Sequence, residues 1–152
     1  MYLVSACLAG VNCRYNGSNT VNEWVRKLVE QGKAIAVCPE QLGGLPIPRA
    51  CCEIIDKEGK KKVINKDGQD VTKEFIKGAK KTLVIAQTIG AKKAILQSKS
   101  PSCGYGFIYD GTFSGKLKEG NGITTELLSQ NGIQVYTEKE IEKMKSSQGS
   151  KK

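Results

Sequence analysis

Cysteine is the residue of this chain with the most chemistry to offer: there are six in 152 residues, and there is no histidine. Three of the six share an address. Cys7 follows the apolar segment Tyr2–Ala6, Cys38 closes the apolar segment that begins at Ala34, and Cys103 lies in the loop after Ala94–Gln97. A thiolate is both a nucleophile and a soft metal ligand, and sets of thiolates select zinc, copper(I) or iron–sulfur clusters. The plainer alternative is that each cysteine packs as a small hydrophobe.

The lack of histidine removes the commonest partner ligand of a catalytic zinc. The three cysteines also sit in distant loops, unlike the close pairs of a zinc ribbon. A four-iron cluster is ordinarily held by four cysteines, so three would leave one iron open. An open metal position is a Lewis acid that can take a leaving atom, and soft iron suits sulfur.

For the three thiols to meet, the surrounding elements must form a parallel sheet. Tyr2–Ala6, Ala34–Cys38, Ala94–Gln97 and Ile133–Tyr136 read as short buried strands. Thr20 with Glu23 reads as a capping box for a helix whose apolar face is Val21, Trp24, Val25, Leu28 and Val29, ended by Gly32. The segment Pro39–Arg49 is too rich in Gly and Pro for a helix or a central strand and reads as a long ordered loop. Cys52–Asp56 and Lys61–Ile64, around Glu58-Gly59, read as a β-hairpin. Asp70 is the expected N-cap of a helix with the stripe Val71, Phe75, Ala79, Leu83, Ala86 and Ile89, closed by Gly90. Phe107–Tyr109 reads as extended, and the glycine-rich stretch Asp110–Gly122 as a wrap around the site. Ile123–Gln130 reads as a helix, and Thr137 with Glu140 as the cap of a last one.

This order predicts an α/β fold, a single-domain Rossmann-like parallel sheet with helices on both faces and a small β-hairpin. The domain spans residues 1–145, and residues 146–152 form a flexible basic tail. Strand carboxyl ends of such a sheet lie on one edge, with neighbours about 4.8 Å apart. Loops bearing Cys7, Cys38 and Cys103 can therefore converge. The fingerprint Gly-x-Gly-x-x-Gly is missing after the first strand, so a dinucleotide cofactor is not indicated.

Composition fits a globular chain, with 39% hydrophobic and 26% charged residues. The net charge of +9 suits anionic partners, including nucleotides or RNA. Aromatics of only 6% and the lack of an aromatic-interleaved motif favour a solvated lysine surface over an RNA-binding one. No apolar run approaches the roughly 20 residues that span a bilayer, and the N-terminus lacks a basic signal start. Both readings predict a cytoplasmic protein without a membrane partner, where structural disulfides are rare.

Several segments together resemble a known family. They are Val4-Ser5-Ala6-Cys7-Leu8-Ala9-Gly10, Arg14-Tyr15-Asn16-Gly17, Cys38 through Arg49, Gly68-Gln69-Asp70-Val71-Thr72, Ser100-Pro101-Ser102-Cys103-Gly104 and Ile108-Tyr109-Asp110-Gly111-Thr112-Phe113. In order and spacing, over about residues 3 to 140, the chain resembles the bacterial thiouracil desulfidase family. The resemblance implies a Rossmann-like fold and a 4Fe–4S cluster held by three cysteines, here Cys7, Cys38 and Cys103. It implies non-redox desulfuration of a thiolated pyrimidine, thiouracil or a thiouridine nucleotide, with water replacing sulfur and sulfide leaving. It further implies Glu40 as acid/base and Ser100 as the residue orienting substrate or water. An exposed cluster of this kind is expected to be lost readily in air.

Residues beside this set are read on their own terms. A carboxylate at Glu40, two residues after a ligand, can reach the site; the alternative is an ordinary surface glutamate. Arg14 and Arg49 lie in two site loops, either to grip a substrate phosphate or ring carbonyl or to tie loop carbonyls together. Cys13, in the loop of Cys7, is the alternative to Cys38 as third ligand. Cys51 and Cys52 read as packing, open to oxidation. Asp110 and Thr112 read as a turn. The competing functions are a metal-binding protein without catalysis and a nucleotide- or RNA-binding module; Glu40 and Ser100 beside the thiols favour the enzyme.

Overall fold

The computed structural model describes residues 1–141 and 143–145. The tail expected at 146–152 lies outside the described residues. Strands β1 (Tyr2–Ser5), β2 (Ala34–Val37), β5 (Lys93–Leu96) and β8 (Gln134–Thr137) form one sheet in the order β2-β1-β5-β8, with every neighbouring pair parallel. β1 is central because it can be: Leu3 and Val4 are wholly buried, as both faces of an inner parallel strand must be. Side chains alternate between faces. Val4 and Ile95 pack with Val25 and Leu28 of helix α1 (Glu23–Glu30) on one side. Leu3 and Leu96 pack on the other side with Ala86 of α3 (Thr72–Thr88) and Leu128 of α4 (Ile123–Gln130). The expected α/β fold is the one observed.

Two antiparallel hairpins lie beside the main sheet: β3 (Cys52–Lys57) with β4 (Lys60–Asn65), and β6 (Phe107–Tyr109) with β7 (Leu117–Glu119). Ile54, Val63 and Ile108 from these hairpins enclose Phe75 of α3 in a core of their own. The first hairpin was expected. The second contains β7, inside the stretch read as an irregular wrap.

Three other expectations need correction. The N-cap of α1 is Asn22, whose Oδ1 accepts from the backbone N–H of Trp24 and Val25. Thr20 stands outside the helix, and its hydroxyl donates to Gln97 Oε1. Asp70 does receive the Thr72 N–H at 2.9 Å, although α3 formally begins after Val71. Most informative is Pro39–Leu42, which forms one helical turn, α2, with proline at its start where a missing N–H does no harm.

The turn exists because of what it rests on. A Cβ at Gly43 would lie 2.0 Å from the carbonyl oxygen of Glu74, and one at Gly78 would lie 1.9 Å from that of Pro39. Two glycines, one at the end of α2 and one inside α3, thus let the backbones touch. The contact seats the segment that follows β2. A glycine-to-alanine exchange within a helix ordinarily stabilises by roughly 0.5–1 kcal/mol. Gly78→Ala is expected to do the reverse and cost about 1–3 kcal/mol through overpacking. It should appear as a lower urea midpoint at unchanged slope; a raised midpoint would show that α2 does not press on α3.

Candidate active site

The sheet sends its carboxyl ends toward one cavity of about 520 Å³. Cys7 follows β1 in a single 3-10 turn, Ala6–Ala9, closed by Gly10 at φ 98°. Cys38 follows β2 and opens α2. Cys103 comes from the loop after β5, and all three line the cavity together with Cys13, Glu40 and Ser100. The order β2-β1-β5 places the three cysteine-bearing ends on adjacent strands. They flank the point between β1 and β5 where the chain leaves toward β2 on one side and toward β8 on the other, the usual crevice for ligands in such sheets.

Each loop is held by its own hydrogen bonds. Ser100 Oγ accepts the backbone N–H of Ser102 and of Cys103, both at 3.0 Å. Thr125 of α4 donates to the Cys103 carbonyl at 2.8 Å. A Cβ at Gly104 would meet the Ser100 carbonyl at 2.7 Å, so only glycine allows this tight turn. Gln97, at the end of β5, accepts from Cys7 Sγ at 3.8 Å and also from Thr20.

Arg49 is the hub of the other side. Its Nε and Nη2 donate to Glu40 Oε2 at 2.7 and 2.6 Å, its Nη1 to the Pro46 carbonyl at 3.1 Å, and its Nη2 also to the Cys13 carbonyl at 3.0 Å. Its side chain is only 6% exposed. Of the two roles read for Arg49, this geometry is that of the residue tying loop carbonyls together. Arg14 also lines the cavity, 5.7 Å from the ring of Tyr15. Asp110 makes the expected turn, accepting from Thr112 N at 3.0 Å and Thr112 Oγ1 at 2.6 Å.

The thiols differ in character. Cys13 hydrogen-bonds both Cys38 and Cys7 and keeps its own proton, while those bonds lower its two neighbours. Cys38 falls to about 6, chiefly through Cys13, and the backbone N–H of Gln41 assists. Cys103, enclosed by the sheet, is pushed up to about 12 by burial, as is Cys52. Among the described residues no three His, Cys, Asp or Glu side chains gather to hold a single metal ion. The thiols ring a cavity instead, and it is wide enough for a group larger than an ion.

Some wall residues escaped the sequence reading. Cys51 and Cys52 stand on the cavity rather than only in packing. Lys66, just after β4, and Lys99, at φ 67° after β5, add positive charge. Phe113 reaches the wall because Glu53, buried on β3, accepts the N–H of Gly111 and of Phe113 at 2.9 and 3.1 Å. Gln97 was detectable, since it stands at the same strand edge as the cysteines. Lys66 was not, because only the folded hairpin brings it near.

The model of the family described as 2-thiouracil desulfurase matches residues 2–140. The uncharacterized protein YbbK of Bacillus subtilis (strain 168) is 49% identical over 147 residues, covering 93% of this chain and 97% of that protein. A solved structure of the [4Fe-4S]-dependent thiouracil desulfidase TudS superposes with a TM-score of 0.87 at 41% identity, covering 97% of each chain.

The buried Arg49–Glu40 pair has a measurable consequence. Removing one member leaves the other charge and the Cys13 carbonyl without their partner. Arg49→Met is expected to cost about 3–5 kcal/mol in urea unfolding of the cluster-free protein. Arg49→Lys should recover only part of this, since an ammonium cannot reproduce the fork. A loss below roughly 1 kcal/mol in Arg49→Met would mean that the pair contributes no more than a surface salt bridge.

Proposed function

This chain belongs to the 2-thiouracil desulfurase family, and we propose that it removes sulfur from a thiolated pyrimidine with the help of a 4Fe–4S cluster. The observation that carries this reading is the convergence of Cys7, Cys38 and Cys103 from three adjacent strand ends on one cavity that Glu40 also lines. The donor set fits such a cluster: it is all sulfur, and it surrounds a space instead of a point. Cys7, Cys38 and Cys103 would hold the cluster. When bound, it supplies a soft Lewis acid for a thiocarbonyl sulfur.

The chain's own residues do the rest. Arg49 fixes Oε2 of Glu40 and leaves Oε1 for a water or the substrate ring. A carboxylate oriented in this way accepts a proton from an attacking water and returns one to the departing sulfide or ring nitrogen. Ser100 spends its lone pairs on two backbone N–H groups, so its single hydroxyl proton is what it can offer a bound base or water. The same two bonds shape the Cys103 turn. Overall the thiocarbonyl sulfur leaves as sulfide, water supplies the oxygen, and no electron is exchanged.

The cavity volume of about 520 Å³ is that of a small-molecule site. Arg14, Lys66 and Lys99 on its wall support a substrate that carries phosphate, a thiouridine nucleotide in preference to the free base. The site therefore favours a small molecule over an RNA strand.

Anaerobic reconstitution followed by a sulfide-release assay on 2-thiouracil and its nucleotide tests the whole reading. A brown, iron-containing, active protein is expected; colourless protein carrying zinc and no activity would replace the enzyme by a metal-binding protein. Any one of Cys7, Cys38 or Cys103 changed to Ser should abolish activity and lower iron content. Glu40→Gln should keep wild-type iron and lose about 10²–10⁴-fold in rate. Ser100→Ala should lose less rate, because one hydrogen bond is worth roughly 1 kcal/mol, and should also lower iron content through the loosened Cys103 turn. Wild-type turnover in Glu40→Gln would remove that residue from the reaction.

A further inference from the structure

Aromatic residues are scarce, 6% of the chain, yet Tyr15, Tyr109 and Phe113 all line the one cavity. The ring of Tyr15 already faces the Arg14 guanidinium. Phe113 has no polar tip, is half-buried, and holds its backbone at φ 55°. A bulky residue in the left-handed region is an outlier, and such strain persists only where the surroundings enforce it. Here three successive residues of β3 enforce it. Glu53 Oε1 accepts the N–H of Gly111 at 2.9 Å and of Phe113 at 3.1 Å. The Ile54 carbonyl accepts from Lys118 Nζ at 3.0 Å, at the far end of the same hairpin loop. A Cβ at Gly111 would lie 2.6 Å from Ile55 Cγ2, so the loop rests directly on the strand. Glu53 is only 8% exposed, and among the described residues no lysine or arginine forms an ion pair with it. A buried carboxylate without a cation is costly; the N–H groups of the Phe113 loop are what answer this one.

Resting on the desulfurase reading, we propose that Phe113 is a specificity-determining contact, the apolar face on which the pyrimidine ring stacks, and that Glu53 is the positioning residue that holds it there. A thiolated pyrimidine is flat, and its polar groups lie in the plane of the ring. Its edge and its faces therefore need different partners. Glu40, Ser100 and the basic side chains of the cavity can address the edge, whereas a face is best met by another aromatic ring. A ring fixed before the base arrives loses little freedom on binding. Stacking of this kind is made equally with the bound substrate and with the transition state, so it sets affinity more than the rate of the chemical step. Glu53 touches neither the base nor the sulfur in this scheme; it acts through the two N–H groups that fix the Phe113 backbone.

The test is a double-mutant cycle on anaerobically reconstituted protein, with iron content and circular dichroism matched to wild type. Sulfide release is followed on whichever of 2-thiouracil and its nucleotide the wild type turns over. Loss of one base–aromatic stack corresponds to about 5- to 150-fold in affinity. Phe113→Ala should therefore raise KM by about that factor while kcat stays within roughly threefold, and Phe113→Tyr, which keeps the aromatic face, should restore KM. Glu53→Ala should also raise KM. The double variant should be no worse than Phe113→Ala alone, because Glu53 acts only through that ring. Glu53→Gln, whose amide oxygen can still accept both N–H groups, should recover most of the affinity. A wild-type KM in Phe113→Ala, or a loss carried mainly by kcat, would overturn the stacking role while an active wild type leaves the desulfurase reading intact. Additive losses in the double variant, or a Glu53→Gln as impaired as Glu53→Ala, would overturn the positioning role. If Glu53→Ala does not fold, the two Phe113 variants and Glu53→Gln decide. A wild type that takes up iron but releases no sulfide from either substrate removes both readings.

Discussion

In a parallel sheet all strands leave at the same edge, and here β1, β2 and β5 are neighbours in the order β2-β1-β5. Everything at the cavity depends on this constraint. Cys7, Cys38 and Cys103 are far apart in sequence, yet each needs only to follow its strand by a few residues to face the other two. The register is secured from within: Leu3, Val4, Ile95 and Leu96 are wholly buried. A slip of one residue would turn each of them to the opposite face. The thiols are therefore positioned by the apolar core.

Positioning the loops beyond the sheet is done by polar groups that cannot be moved cheaply. A buried guanidinium must be answered by acceptors, and Arg49 finds them in Glu40, Pro46 and Cys13, which come from two different loops. Ser100 and Thr125 hold the Cys103 turn from either side. Glu53 holds the loop that carries Phe113. Buried polar groups with fully made hydrogen bonds rigidify what they join, which suits a site whose sulfurs must keep their places whether or not anything lies between them.

The cavity also combines opposite demands. Burial raises the Cys103 thiol, while the hydrogen bonds of Cys13 lower Cys38 and Cys7. Arg14, Lys66 and Lys99 bring positive charge to the same wall, and positive charge attracts both thiolates and anionic substrates. The basic character of the chain is thus represented at the cavity, although most of its lysines lie on the outside.

Much of this was legible from residue types alone. Short apolar runs ending in Cys7, Cys38 and before Cys103 imply strands of one parallel sheet, and the handedness of β–α–β connections leaves few other topologies. The hairpin around Glu58-Gly59, the stripe of α3 and the helix Ile123–Gln130 follow from local periodicity and turn chemistry. The turn Pro39–Leu42 did not, because its helical form comes from Gly43 meeting Gly78, a contact between segments over thirty residues apart that local propensity does not register. Thr20 looked like a cap because its neighbour Glu23 has the right spacing; in the fold Asn22 takes that task and Thr20 turns to Gln97. That Arg49 meets Glu40 and the Pro46 and Cys13 carbonyls, and that Cys13, Lys66 and Phe113 share one wall, was decided only when distant loops packed together. Sequence by itself determined the strands and longer helices of the main sheet and which thiols leave that sheet at its carboxyl edge, because hydrophobic period and chain direction are local properties. Tertiary structure alone decided which polar groups meet there, because a buried charge is satisfied by whatever acceptors the packed loops present.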